Sequence, residues 1–331
     1  MERSDLAGKD FISTADWSIG ELDMALDVAH ELKAAFKRGK FHRLLVDKTL
    51  FMIFLDLSTR TRNAFEAGMT QLGGHAHFID ANTSQIAHGE SPRDMGIILS
   101  SYGHGIAIRH DKVPGEGNRY MREVAAHAEA PVINLQCDQD HPTQQLADLM
   151  TMEEVLKNRH LTGVKVCVSW AYAPSYAKPM SVPQGLALLL PRFGADVTIA
   201  RPPEYRLMPH VMDRALALAE EGGGSITEVD DMDAGFEDAL VVYPKSWGAE
   251  HLFGSEQEAL ALNERYKDWI CDGRRMKIAA DDAIYMHCLP ADRGHEVTDE
   301  VIDGPQSVVF QEAENRLHTG KAIMALTMGG Y

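Results

Sequence analysis

Cysteine is scarce in this chain and spaced for none of its usual structural jobs. The four residues Cys137, Cys167, Cys271 and Cys288 form no CxxC pair in 331 residues. That excludes the common zinc modules and a disulfide scaffold, and makes a reducing cytoplasm the expected setting. Positive charge is also in deficit. Lys plus Arg number 32 against 49 Asp plus Glu, a formal charge of -17. A nucleic-acid surface is therefore not expected, and an anionic ligand would have to be met by locally clustered arginines. No apolar run reaches membrane-spanning length, and the opening MERSDLAGKDF has no apolar signal core, so a soluble protein without a membrane partner is expected. The glycine signatures of nucleotide sites are missing as well. No GxxxxGK followed by Ser or Thr occurs, and no GxGxxG follows a strand-like run, which disfavours a P-loop NTPase and a nicotinamide dehydrogenase. Internal repeats, low-complexity tracts and long linkers are absent.

What is present is ample core and one concentrated stretch of polar chemistry. The length suggests two domains, and 45% hydrophobic residues can fill both. Leu50 to Leu55 is a continuous apolar run of strand length, the pattern of a strand buried on both faces of a parallel sheet. The period then becomes helical through Ala64, Phe65, Gly68, Met69 and Leu72, ending at Gly73-Gly74. Between them stand Ser58, Thr59, Arg60, Thr61 and Arg62. Three hydroxyls and two guanidinium groups thus gather at a helix start, where unpaired N–H groups and the positive dipole end favour an anion. A small phosphate fits this better than a triphosphate. Taken alone, the same residues also read as a helix capped by Ser58 with solvated arginines.

Further elements follow in the same style. Residues 15 to 38 form an amphipathic helix, and HAHFID is a short strand leading to an exposed polar loop from Asn82 to Asp94. Met95 to Tyr102 is predicted helical. Gly105 to Arg109 is a strand ending in arginine. In parallel sheets ligands sit beyond the carboxyl ends of strands, where Arg109 and Ser58 would meet. PVINL is another strand, after which Pro142 opens a helix and delivers His141 and Gln144 to the same rim. By themselves these two also read as a capped helix start. From Gly163 the pattern restarts with GVKVCVSW, a helix from Gln184 to Phe193 broken late by Pro191, ADVTIARP, a helix from Pro209 to Glu221, and the strand ALVVYP. The fold class is α/β, two doubly wound parallel-sheet domains.

Six stretches, in order, resemble the aspartate and ornithine carbamoyltransferases: STRTR at 58 to 62, Gln85, Arg109, HPTQ at 141 to 144, HCLP at 287 to 290 and EAENRLH at 312 to 318. The resemblance implies that Ser58, Thr59, Arg60, Thr61, Arg62 and Arg109 hold the phosphate of carbamoyl phosphate. It implies that His141 and Gln144 address the carbamoyl group, that the Cys288-Leu289 turn receives its NH2 through a backbone carbonyl, and that Arg316 touches substrate. It also implies a homotrimer in which Gln85 reaches a neighbouring subunit's site. Residues 1–150 with a returning helix at 315–331 would bind carbamoyl phosphate, and 151–314 would bind the acceptor.

The residue types suit that chemistry. Attack of an amine on the carbamoyl carbon builds negative charge on the carbonyl oxygen and then on the departing phosphate, and fixed donors must meet both. Arg60, Arg109, His141 and Gln144 are the expected catalytic group; losing one such donor costs about 2.7 to 4 kcal/mol of transition-state stabilisation. Neither a metal nor another cofactor is expected, and Cys288 reads as a contact rather than a nucleophile.

The acceptor is less legible. Where ornithine enzymes carry an acidic DVWxSMG-like segment, this chain has VVYPKSWGAE, so Lys245 stands in place of an acid. Such a cation would repel a free α-ammonium and favour an acceptor with a carboxylate or a blocked amine. Lys178, Lys245, Trp247 and Leu289 are the expected acceptor contacts. Pro174, Pro179 and Pro183 resemble the stiff loop of the knotted branch, which includes YgeW-like and N-acetylornithine enzymes, and imply that residues 173 to 184 thread a loop near 244 to 256. EAENRLH looks more like ordinary ornithine enzymes. Ornithine and N-acetylornithine therefore stay open as acceptors, and a catalytically silent anion-binding or regulatory homologue stays open as a different class.

Overall fold

The computed structural model describes residues 1–40, 42–111, 113–176 and 178–331. Its contacts divide the chain into two compact units, Met1–Met150 with Glu314–Tyr331, and Thr151–Ala313.

The first unit is built on β1 (Thr49–Phe54), β2 (His75–Asp80), β3 (Gly105–His110) and β4 (Val132–Cys137), all parallel in the order β2-β1-β3-β4. The apolar run of β1 explains its central place, since Leu50, Met52, Ile53 and Phe54 are all buried. Around the sheet run α1 (Ile19–Lys37), α2 (Arg60–Leu72), α3 (Pro92–Tyr102), α4 (Gly117–Ala125) and α5 (Pro142–Leu156). Successive connections leave β1 towards β2 and β3 towards β4, so the order reverses between β1 and β3, which is where such sheets bind ligands. Register puts Phe54 opposite Arg109, bringing the segment after β1 level with the end of β3.

The second unit contains β5 (Lys165–Trp170), β6 (Asp196–Ala200), β7 (Ser225–Val229), β8 (Val241–Lys245) and β9 (Ile284–Tyr285), again parallel, in the order β7-β6-β5-β8-β9. Its helices are α6 (Ser181–Leu189), α7 (Pro209–Gly222), α8 (Met232–Phe236), α9 (Glu256–Asn263), α10 (Gly273–Met276) and α11 (Asp299–Ile302). The last helix, α12, is Val309–Thr327. Here the reversal lies between β5 and β8, whose final residues Trp170 and Lys245 are register partners.

Some local expectations need correction. Ser58 does not cap α2. Thr59 holds that position, in helical backbone geometry and without a side-chain cap bond. The loop after β2 is shorter than its polarity implies. Gln85–His88 makes a single 3-10 turn, while Ser91 accepts the Asp94 N–H and Pro92 opens α3 three residues before Met95. The short helix α4 was hidden among charges and buries only a narrow face including Met121 and Val124. Its start is pressed on β3 closely enough that a Cβ on Gly117 would lie 1.8 Å from the His110 carbonyl oxygen. β7 was missed because it is an exposed edge strand with no apolar run. The final helix begins at Val309, six residues earlier than the pattern from Asn315 indicated.

Candidate active site

The turn between β4 and α5 is fixed by a buried carboxylate. Asp140 Oδ2 accepts from Ser13 Oγ at 2.8 Å and from the Thr14 N–H at 2.9 Å, drawing the amino-terminal segment across the strand end. Burial pushes this carboxyl up to about 6 despite those bonds. Beside it His141 is only 3% exposed. Its Nε2 lies 3.4 Å from Arg316 Nη2, and the same guanidinium donates to the Thr61 hydroxyl at the start of α2. Burial holds the imidazole well below its ordinary value, and the charges of Arg316 and Arg109 add to that effect. The ring is therefore neutral. Because a guanidinium only donates, Nε2 must accept, so Nδ1 carries the proton. Nδ1 has no hydrogen-bond partner among the described residues.

Arg109 is bound to Asp111 at 2.8 Å. Asp111 is buried, and its N–H donates to Asp56 Oδ2 at 3.1 Å. Burial raises the Asp111 carboxyl to about 7, with Arg109 pulling it down and Asp56 pushing it up. Gln144 is fully buried and donates through Nε2 to Asp148 Oδ1 at 2.7 Å, one helical turn along α5. Arg60 opens α2 and is half-buried.

Two other residues of the STRTR segment face a hollow that includes Asp56, the acceptor of the Asp111 N–H. Ser58 and Arg62 line a cavity of about 320 Å³ together with Asp56, Phe78 and Asp80. The Arg62 guanidinium lies 3.6 Å from the Phe78 ring centroid and pairs with Glu66 at 2.9 Å. Arg60 and Arg62 are two residues apart, roughly 200° around a helix, so they leave α2 in different directions. Thr59 is exposed. Gln85 is exposed too, with Oε1 3.3 Å from His88 Nδ1.

In the second unit the expected acceptor residues meet a buried ionic group. Lys245 Nζ donates to the Ser246 carbonyl at 2.8 Å and lies 3.5 Å from Glu296 Oε1. Although burial works against its charge, Glu296, Cys288 and Asp292 together raise this amine. Burial works against the Glu296 carboxylate as well, but Lys245 and His287 hold it well below the usual carboxylate range. Lys178 pairs with Asp292 at 2.9 Å. The Lys245 charge is thus offset from within the protein, which corrects the expectation of a bare cation repelling an α-ammonium. Trp247 is 1% exposed, its Nε1 donating to the Tyr205 carbonyl at 2.9 Å. The space it lines with Lys178 is about 10 Å³, room for a water and not for an amino acid, so Trp247 packs the core. Cys288 is half-buried, and Leu289 adopts φ 55, a left-handed conformation uncommon for leucine.

The structure therefore brings Thr61, His141 and Arg316 into contact, with Arg109 close enough to act on the His141 ring, while Ser58 and Arg62 line the hollow that also contains Asp56 and Phe78. Sequence reasoning missed Asp111, Asp140, Glu296 and the part His287 plays. Asp140 and Glu296 carry no local signal because Ser13, Thr14, Lys245 and Ser246 are distant in sequence, and Asp111, two residues after Arg109, has nothing in its neighbourhood that marks it as buried. Among the described residues no group of three or more His, Cys, Asp or Glu is placed to hold a metal.

Comparison with known proteins adds a separate line of support. Residues 9–154 match the family described as aspartate/ornithine carbamoyltransferase, carbamoyl-P binding domain. Residues 178–327 match aspartate/ornithine carbamoyltransferase, Asp/Orn binding domain. The protein named "Putative carbamoyltransferase YgeW" of Escherichia coli (strain K12) is 39% identical, over 94% of this chain and 87% of its own length. The structure of ornithine carbamoyltransferase from Pyrococcus furiosus superposes with a TM-score of 0.88 at 39% identity, covering 98% of this chain and 99% of that one. Acetylornithine transcarbamylase complexed with acetylcitrulline gives 0.88 at 33%, covering 96% and 98%.

Proposed function

The chain belongs to the aspartate/ornithine carbamoyltransferase family, and on that premise we propose how it moves the carbamoyl group of carbamoyl phosphate to the amine of a small amino-acid-like acceptor. It is a carbamoyltransferase, a transferase. The observation that carries the residue assignment is the contact of Arg316 with both His141 and Thr61, three polar groups from separate segments gathered at the end of one sheet. Neutral His141 offers Nδ1–H to the carbamoyl oxygen, and Arg109 and Arg316 add charge where the oxygen and then the phosphate become negative. The amine forms the new C–N bond as the bond to phosphate oxygen breaks, and phosphate leaves with that electron pair and takes up the proton that the amine nitrogen sheds. Thr61, Ser58, Thr59, Arg60 and the unsatisfied N–H groups at the start of α2 receive the phosphate. Gln144 orients the carbamoyl group from the first turn of α5. The backbone of Cys288 and Leu289 takes the carbamoyl NH2.

The acceptor carries a carboxylate near Lys178 or Lys245. Both lysines are matched by internal acids, so a zwitterion is not repelled, and ornithine and N-acetylornithine remain candidates alongside other diamino acids. Gln85, exposed on its own subunit, suits a homotrimer in which it completes a neighbour's site. A cytoplasmic location agrees with four cysteines that form no disulfide, three of them buried. No helix among the described residues is long and apolar enough to cross a membrane. The threaded loop is also proposed. In support, the Lys178 carbonyl accepts the Gly248 N–H at 2.9 Å, and Asn263 Nδ2 donates to the carbonyls of Ala173 and Ser175. Ala177, inside that loop, lies outside the described residues.

The test is phosphate release from carbamoyl phosphate with 2,3-diaminopropionate, ornithine, N-acetylornithine, putrescine and aspartate. Turnover is expected with an amine that also bears a carboxylate and not with putrescine. No turnover with any would favour a silent anion-binding homologue.

A further inference from the structure

Glu296 has no exposed surface, and its two oxygens serve two different turns. Oε1 accepts the Ser246 N–H at 2.7 Å and faces Lys245 Nζ, both just after β8. Oε2 accepts the Asp292 N–H at 2.7 Å and lies 3.4 Å from His287 Nε2. His287 passes the constraint on, because its Nδ1 accepts the Leu289 N–H at 2.9 Å. That bond requires a bare Nδ1 and hence the proton on Nε2, the tautomer that a carboxylate beside Nε2 selects. Leu289 is the residue held in the left-handed region, where a side chain with a Cβ is strained and needs support from its surroundings. The position of His287 itself is secured separately. Its backbone N–H donates to Glu312 Oε2 at 2.9 Å, and Glu312 Oε1 accepts from the Tyr243 hydroxyl at 3.1 Å. Glu296 is therefore not needed to place the ring, only to choose its tautomer and to join the two turns.

We propose that Glu296 is a positioning residue for carbamoyl transfer, holding the turn that carries Lys245 in fixed relation to the strained turn at Cys288 and Leu289. This rests on the carbamoyltransferase reading above. A simpler role, as counter-ion to a buried lysine, would account for the contact at 3.5 Å. It would not account for the two 2.7 Å bonds to backbone N–H groups of different turns, nor for the contact with His287. Glutamine keeps the length but turns one of the two accepting oxygens into a donor. Aspartate keeps the charge but is one methylene too short to serve both turns.

Wild type, E296Q and E296D are compared by steady-state kinetics on whichever acceptor supports turnover, by calorimetric binding of inorganic phosphate, and by nitrogen NMR of the histidine rings. The proposal expects E296Q and E296D to lose about 10- to 100-fold in kcat. Acceptor KM should rise, while phosphate affinity stays within about twofold. The His287 ring should show the Nε2–H tautomer in wild type and a mixture in E296Q. Folded variants with wild-type kcat and acceptor KM, or a His287 tautomer unchanged by E296Q, would overturn it. So would a loss of thermal stability at unchanged kcat per folded molecule, which a counter-ion role predicts. Wild-type turnover on none of the amines would instead count against carbamoyl transfer itself, and the tautomer measurement would still judge the role of Glu296.

Discussion

Arg316 and His141 meet at 3.4 Å across 175 residues of sequence, one on the last helix and the other at the mouth of the β4–α5 turn. The contact makes the imidazole an acceptor at Nε2 and a donor at Nδ1, and the nearby charge discourages a second proton.

Removing Arg316 should therefore be visible on His141 itself. In wild type the ring stays neutral through the neutral pH range. In R316M its titration moves upward, because one of the two opposing charges is gone while burial remains. NMR of the histidine rings measures this. The same variant should lose about 2.7 to 4 kcal/mol of transition-state stabilisation, read in kcat/KM. An unchanged titration would mean that burial alone keeps the ring neutral.

Asp111 already occupies Arg109, so on the proposed reading it competes with phosphate for that guanidinium. Its folded-state pKa is raised to about 7, so the ionised form is the disfavoured one: stability associated with the neutral carboxyl is complete below its unfolded value near 4 and is lost as pH rises through 7. Above that pH the carboxylate binds Arg109 most strongly. D111N should bind inorganic phosphate more tightly than wild type at pH 8, by about 3- to 10-fold, and the difference should shrink towards pH 6. Calorimetry at both pH values checks the sign, and equal affinities at pH 8 would separate Asp111 from the site.

Lys321 is a buried amine whose described contacts include no carboxylate. It donates to Gln71 Oε1 at 2.9 Å and sits 5.1 Å from the Phe36 ring centroid. Burial lowers its pKa to about 8. As pH falls from 10.5 to 8 the unfolded chain takes up the proton first, so the fold loses stability over that window and bears the full cost below it. K321M should then stabilise the protein at pH 7, by about 2 kcal/mol once the lost Gln71 bond is subtracted. The gain should vanish above pH 10. Chemical denaturation at the two pH values tests this.

Trp247 gives the opposite kind of prediction. W247F leaves the Tyr205 carbonyl without its donor and should cost about 1 kcal/mol of stability. Acceptor KM should stay within about twofold, and a change of about tenfold would return Trp247 to the acceptor's surroundings.

Much of the frame was legible because it is local. Continuous apolar runs such as Leu50 to Leu55 announce strands covered on both faces, and Gly73 at φ 88 ends a helix where the pattern stopped. The short elements were not legible for the same reason: β7 lies on an edge with little to bury, and α4 presents mostly charge. Within the site, Arg109 and His141 could be picked out because one stands at the end of a strand and the other in the turn that follows one. The contacts of Arg62 with Phe78 and Glu66 were not legible, because a run of letters does not show which way a helix turns its side chains.

The amino-acid order by itself determined the alternation of strand and helix, the two parallel sheets and the presence of a polar group at the carboxyl ends of the first one. These follow from short-range periodicity and from the chain's need to bury apolar runs. Only the tertiary structure decided which charges are already matched: Asp111 on Arg109, Asp292 on Lys178, and Glu296 on Lys245 and His287. Those pairings join residues from two to 114 positions apart, as in Arg109 with Asp111 and Lys178 with Asp292. A lone acid in the sequence carries no mark of the cation it will face.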